Sequence, residues 1–458
     1  EGASFFQVSP VSDACTKFLT DNLCVKNCMK MVTLGGMLNP SLETKALTYA
    51  MKEFTATSQT PEFLDLTKDQ LITLVSSDDL NATEETVYTA VMKWINHDTR
   101  NRKKEMKELM ELVRFPFMNK MYFLEKVECD KTLRKCCPDI VSKALKWQLF
   151  PGEVQSPRTH PRRASGLREA VVVIGGCEKL EGEHLVPSVD SNSITTTLSS
   201  TPSSTSWISM TEMKNENDHG FSVAVLGTSD IMVSGGVQSN DVWLYHAKFD
   251  SWSKLAPMLT GRAYCKLAVV QGQVYAIGGR ISHSPLCLTP GVEVYDQSLN
   301  KWTEGVSLPQ PRYLHAAAVL DGSIYVIGGR DAKNIPISTV YRFSPGDCQW
   351  NSASDLPVGA SFITASGLNG SIYVAGLQSQ LLCYRPQEDV WTVVASTGTG
   401  YRCGMTVFGG EIYIYGGCEN NNGTAKVFQL NQEDKSLKQV GTMHKGLFDH
   451  TCVTILKG

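Results

Sequence analysis

Two hydrophobic rhythms divide the chain. Up to about residue 150, apolar residues recur every three or four positions; from Glu169 onward they come in short runs closed by glycines. The first rhythm predicts amphipathic helices and the second predicts short strands. Ser9-Pro10 supplies a cap and a first-turn proline ahead of Val11, Ala14, Cys15, Phe18 and Leu19, which share one helical face. Asn39-Pro40 repeats the device before Leu42, Ala46, Tyr49 and Ala50. Thr67 to Gln70 and Asn81 to Glu84 each fit a capping box, and the second opens a stripe of Val87, Ala90, Val91, Trp94 and Ile95. The lysine-rich run from Arg100 to Lys107 reads as a solvated face or loop. Residues 151–168 carry three prolines and two glycines among four arginines and a histidine, which predicts an exposed linker. Within it, Arg162-Arg163-Ala164-Ser165 also has the spacing that a basic-directed kinase reads; a solvated hinge is the simpler account.

The second half repeats itself. Apolar runs end in Gly175-Gly176, Gly235-Gly236, Gly278-Gly279, Gly328-Gly329, Gly376-Leu377 and Gly416-Gly417. A hairpin glycine precedes each of the last four (Gly272, Gly322, Gly370 and Gly410), with a tyrosine between (Tyr275, Tyr325, Tyr373 and Tyr413). Farther on come an aromatic and a tryptophan: Tyr245 with Trp252, Tyr295 with Trp302, Tyr341 with Trp350, Tyr384 with Trp391. Each unit holds about four short strands, too little to bury both faces of its own sheet. Radial stacking solves that problem, so the pattern predicts a propeller of six blades. The last apolar segment, His450 to Leu456, has no glycine pair after it, and the first, Ala170 to Ile174, lacks the preceding strand that other repeats have. The C-terminal strand is therefore expected to complete the first blade. Repeat one carries a Ser/Thr-rich insertion near Ser188 to Ser206 and keeps only Trp207; repeat six offers Leu437 near the expected tryptophan.

At 458 residues the chain predicts two or three domains. Its 43 basic and 46 acidic residues give no broad footprint for nucleic acid or an anionic membrane, and no apolar run is long enough to span a bilayer. Fourteen cysteines, scattered over core positions without a CxxC pair, read as reduced thiols. A cytoplasmic or nuclear location follows, which makes the sequons at Asn81, Asn369 and Asn422 chance matches. Beginning Glu1-Gly2-Ala3, the chain reads as a piece of something longer.

With these residues in place, the chain resembles the Kelch-like family, which joins a BTB domain, a BACK helical domain and a kelch propeller. Leu74 to Asn81, then Glu84-Glu85, Val87, Ala90 and Trp94, is similar to the BACK signature, and Leu112 to Phe117 to its later "VR-(L/F)-P" turn. Ala14 to Leu19, followed by Asn27-Cys28, resembles the last BTB helix running into BACK. The expected fold is an all-α BACK domain followed by an all-β six-bladed kelch β-propeller. The domains implied are a BTB remnant at 1–24, BACK with its 3-box helices at 25–150 (the 3-box at Val25 to Phe54), a linker at 151–168 and the propeller at 169–458. The resemblance implies a substrate-recognition adaptor of a cullin-3 RING ubiquitin ligase, with no enzymatic activity and no cofactor. With most of BTB missing, cullin-3 binding is expected to be weak, and homodimerisation to belong to a BTB-containing parent. A non-ligase kelch scaffold, associated with actin or the cytoskeleton, is the alternative.

No HExxH pair or P-loop supports catalysis. Because kelch-fold oxidases hold copper, His219, His315, His444 and His450 deserve a metal reading, although loop or buried polar roles account for them more simply. In the family, substrate contacts come from loops leading into the innermost strands and from those following the glycine pairs. Carried over by motif position, the first set is Arg262, Arg312, Tyr313, Ser361, Tyr401, Arg402 and Phe448, and the second is Arg280 and Arg330. Five arginines with two tyrosines suit an acidic or aromatic protein segment, unless the arginines brace neighbouring blades. On the binding reading, Arg312→Ala with Arg402→Ala abolishes capture and spares the fold.

Overall fold

A computed structural model describes residues 9–151, 153, 159–178, 196–199, 207–211, 220–237, 239–281, 287–377, 380–396, 401–432 and 434–457. It divides into two compact units: Glu1–Gln148 with Arg158–Arg168, and Leu149–Pro157 with Glu169–Gly458.

The first unit is helical. Its longer helices are α1 (Ser9–Asp21), α2 (Cys28–Leu38), α3 (Pro40–Lys52), α4 (Lys68–Ser76) and α5 (Glu84–His97). The stripe on α5 is buried against Leu71, Leu74 and Val75 of α4 in one core cluster, and the Trp94 indole donates to the Leu66 carbonyl at 2.9 Å. Asn39 caps α3 by accepting from the Ser41 and Leu42 amides, and Thr67 with Gln70 forms the reciprocal capping box of α4. Two expectations fail. On α1, Val11 is 50% and Phe18 67% exposed, so that stripe faces outward instead of into the core. The second capping box does not form either: Thr83 caps α5, while Asn81 donates to the Lys52 carbonyl. Glu84 cannot reach back, because its carboxylate is already engaged by the Arg162 guanidinium (2.7 Å) and the Arg114 amide (2.8 Å).

That engagement also corrects the linker. Arg162 is 1% exposed and donates further to the carbonyls of Ser77 (2.7 Å) and Leu112 (3.2 Å). Arg114 pairs with Asp78 and donates to the His160 carbonyl. A buried guanidinium must be paired to be tolerated, so this segment is clamped onto the helices instead of hanging free. Ser165 is exposed, but its hydroxyl donates to the Arg162 carbonyl at 2.7 Å. A kinase reading Arg162 would have to extract it from its ion pair. Upstream, Glu153 belongs to the second unit, where its carboxylate accepts from the Gln271 amide.

The second unit is a β-propeller. Five of its sheets come from one continuous stretch of chain each, and their innermost strands are Phe221–Leu226, Lys266–Val270, Ala316–Leu320, Thr364–Leu368 and Gly404–Phe408. A further sheet is composite: Thr451–Lys457 lies beside Arg168–Ile174, followed by Thr196–Ser199 and Ile208–Ser209. Five blades are thus contiguous, and the composite sheet is the first blade, completed by the C-terminal strand as its missing first strand predicts. Innermost strands contact one another in a closed cycle, with Thr451–Lys457 between Gly404–Phe408 and Phe221–Leu226.

The repeat residues supply the seams. The second glycine of four pairs sends its N–H to a carbonyl leading into the next sheet: Gly236 to Arg262 (3.2 Å), Gly279 to Arg312 (2.8 Å), Gly329 to Ala360 (2.7 Å) and Gly417 to Leu447 (2.9 Å). At Gly278, φ is +60° and a Cβ would stand 2.8 Å from the Arg312 oxygen, so a side chain is excluded twice over. Tryptophans also reach backward. Trp252, Trp302, Trp350 and Trp391 donate to the carbonyls of Thr211, Ala256, Val306 and Ser354 in the preceding sheet, and Trp207 donates to Thr442 across the closure. Leu437 packs in the apolar cluster where the sixth indole was expected. The insertion near Ser188 to Ser206 lies largely outside the described residues.

Candidate binding face and central channel

A residue one or two positions before the start of each innermost strand takes a left-handed backbone. These residues are Gly220, Tyr264, Leu314, Phe362, Arg402 and Asp449, with φ from 55° to 74°. They form a belt. Tyr264 N–H donates to the Gly220 carbonyl (2.6 Å), Leu314 to Tyr264 (3.2 Å), Phe362 to Leu314 (3.0 Å) and Asp449 to Arg402 (2.9 Å). Five of the six carry a side chain in a conformation that costs about 1–2 kcal/mol for an L-residue, so the sequence offers no glycine to mark the belt. All six line a central cavity of about 130 Å³.

Beside the belt, the two loop sets expected to contact substrate are held edge to edge. Ala263 and Arg280 exchange backbone hydrogen bonds at 2.8 Å each; Tyr313 with Arg330 and Phe448 with Cys177 do the same, and Cys418 donates to the Tyr401 carbonyl. Arg280 stacks over Tyr264 at 5.2 Å and Tyr313 at 6.0 Å. Arg330 donates to the Ser361 hydroxyl (3.0 Å) and to Asn334 Oδ1 (3.0 Å), which also accepts from the Tyr313 hydroxyl at 2.5 Å. Arg280, Arg330 and Ser361 are half-buried and Tyr401 is exposed, so all four present atoms to a partner.

The other expected contacts lie inside. Arg262, Arg312, Arg402, Tyr313 and Phe448 are each at most 5% exposed. Arg262 pairs with buried Glu293 at 2.5 Å and donates to the Gly278 and Gly291 carbonyls. Arg312 donates to the carbonyls of Gly328 and Thr339, both at 2.9 Å, and burial brings its pKa down to about 10. These two brace the glycine turns. Truncating Arg312 would strand buried carbonyls, so the Arg312→Ala and Arg402→Ala pair cannot test binding on an intact fold. The surface residues missed in the sequence, Tyr264 and Asn334, carry no repeat signature; only their distance from the glycine pairs would have found them.

Of the four histidines, His219 lies outside the described residues. His444 is exposed beside Trp207, with ring centroids 6.2 Å apart, whereas His315 and His450 are buried and line the channel. Among the described residues, no group of three His, Cys, Asp or Glu side chains is arranged to hold a metal. The remaining wall includes Lys266, Cys177, Cys265, Cys403 and Cys452. Burial raises the Cys177 and Cys403 thiols to about 12 and lowers the His450 imidazole to about 4. Asp449, paired with Arg402 at 2.8 Å, is nevertheless raised to about 6, because burial outweighs the guanidinium. All fourteen cysteines are unbridged.

Comparison with known proteins joins the two units. The family described as BTB And C-terminal Kelch matches residues 28–128, and the Kelch motif matches 261–309, 311–357 and 399–444. Kelch-like protein 24 of Rattus norvegicus is 35% identical over 99% of this chain and 75% of its own length. The chain belongs to the Kelch-like family. Kelch-like protein 35 of Mus musculus is 31% identical over 98% of this chain and 78% of its own, so the likeness runs through helices and propeller together. Within this Kelch-like chain, Asp78, Glu84 and Arg114, all from the BACK motifs, converge with Arg162 in one ion network. No helix among the described residues is long and apolar enough to cross a membrane.

Proposed function

We propose that this Kelch-like chain is the substrate-recognition adaptor of a cullin-3 RING ubiquitin ligase, its sheets acting as a six-bladed ring that captures a protein substrate. The observation that carries this reading is the accessible set Tyr264, Arg280, Arg330, Ser361 and Tyr401 on one rim of the propeller, in a chain that also contains BACK. Two half-buried guanidiniums flanked by tyrosines suit a segment offering carboxylates and an aromatic ring. Cullin-3 would meet the helical unit, where Phe18 and Met37 are 67% and 77% exposed, and a BTB domain in a longer parent would add dimerisation and most of the affinity.

The experiment is affinity capture from cells, comparing the wild-type chain with Arg280→Ala/Arg330→Ala and with Phe18→Asp/Met37→Asp. The arginine pair is expected to lose captured substrate by roughly thirtyfold, as loss of a hot spot does, and to keep cullin-3. The apolar pair is expected to do the reverse. Recovery of actin without cullin-3 by the wild type would overturn the ligase reading in favour of a cytoskeletal scaffold.

A further inference from the structure

The propeller channel holds a cation with no close ion-pair partner. Lys266 extends from an innermost strand into the central cavity; its ammonium makes no hydrogen bond or close ion pair with any described residue, and Asp449, already paired with Arg402, attracts it only at longer range. Burial lowers its pKa, so the surrounding wall does little to solvate the ammonium. Across the wall, Arg402 spends one nitrogen on Asp449, while its Nε has no partner. His315 and His450, at 0% and 5% exposure, have neither ring nitrogen in a hydrogen bond of normal geometry; the carbonyls of Ile277 and Tyr415 only ease their desolvation. A channel wall with two cations, one carboxylate and an unpartnered guanidinium Nε is electrostatically incomplete.

We propose that the channel is a binding site for a compact tetrahedral oxyanion, of the class of inorganic phosphate or sulfate, held between Lys266 and Arg402. The space suffices: the cavity measures about 130 Å³, and a water needs only about 10–15 Å³ of such space. Access exists too, since Tyr264, Lys266, Thr364, Asp449 and Thr451 on the wall are only half-buried. The donors suit this shape. An ammonium presents three N–H groups and the guanidinium Nε a fourth, approaching from two different sheets. A cation would meet net positive charge. The acidic segment proposed for the outer rim would engage Arg280 and Arg330, so this site is distinct from that one and does not depend on it.

The test is a phosphate titration of the whole chain at constant ionic strength, chloride making up the balance, followed by thermal unfolding and by phosphorus NMR line width. The wild type is expected to show a saturable rise in Tm, with sulfate acting similarly and acetate inert. Lys266→Met should weaken phosphate binding by roughly tenfold or more, the loss expected for a charge-assisted hydrogen bond, and should not lower the ion-free Tm, because it removes an unpaired charge. Asp449→Asn, which releases Arg402, should tighten binding. It keeps the proposal testable should Lys266→Met fold poorly. A wild-type response in Lys266→Met, no saturable response at all, a response to acetate alone, or weaker binding in Asp449→Asn would each overturn the assignment.

Discussion

At the scale of single residues, burial decides what a charge does. Arg262 and Arg280 lie eighteen positions apart in one repeat, and both arise from motif positions that suggest contact with a partner. One is 2% exposed and pinned to Glu293, whose carboxylate also accepts from the Leu259 and Thr260 amides. The other stacks on tyrosines at the rim. Glu293→Ala would leave a guanidinium and two amides buried without their acceptor. It is therefore expected to cost about 3–5 kcal/mol, measured by denaturant unfolding, whereas Arg280→Ala should stay within about 1 kcal/mol. The glycine-pair register separates the two kinds, Arg262, Arg312 and Arg402 ahead of an innermost strand and Arg280 and Arg330 after a glycine pair, but both positions suggest contact. Which set is structural was not legible, because that depends on the buried carbonyls each can reach.

At the scale of elements, the repeat was largely legible and its exceptions were not. Paired glycines and the Tyr and Trp spacing describe local needs that the sheets share, so they recur and can be counted, and the first repeat's missing strand shows against that background. The left-handed belt is different. Its conformation is imposed by hydrogen bonding between neighbouring sheets, and Tyr264, Leu314, Phe362, Arg402 and Asp449 adopt it without glycine's help. In the helical unit, likewise, Arg162 read as linker because its partner Glu84 lies seventy-eight residues away. The seams make a prediction. Trp302 donates to Ala256 at 3.0 Å across two sheets, so Trp302→Phe keeps most of the apolar area and loses this bond. It should lower stability by about 1–2 kcal/mol, while the same change at half-buried Trp207 should cost less. Paired unfolding curves would check the ranking.

For the molecule as a whole, the composite sheet makes the propeller's stability depend on residues far apart in sequence. Ala170, Val172 and Ile174 share a cluster with Val223, Ile231, Tyr245 and Ile455, so removing the last strand exposes apolar flank on two sheets at once. A chain ending at Gly446 is expected to lose its single cooperative propeller transition in calorimetry; a variant melting at the wild-type temperature would show that the strand is dispensable.

A consequence for biosynthesis follows from that closing strand. A ribosome delivers Ile174 long before Thr451, and at ordinary elongation rates the interval is on the order of tens of seconds. Through that time the nascent first sheet has an unpaired inner edge and a bare greasy side, the features that invite chaperone binding or intermolecular pairing. Folding of the propeller is thus tied to the late arrival of this strand, when seven residues decide whether several hundred already made can lock.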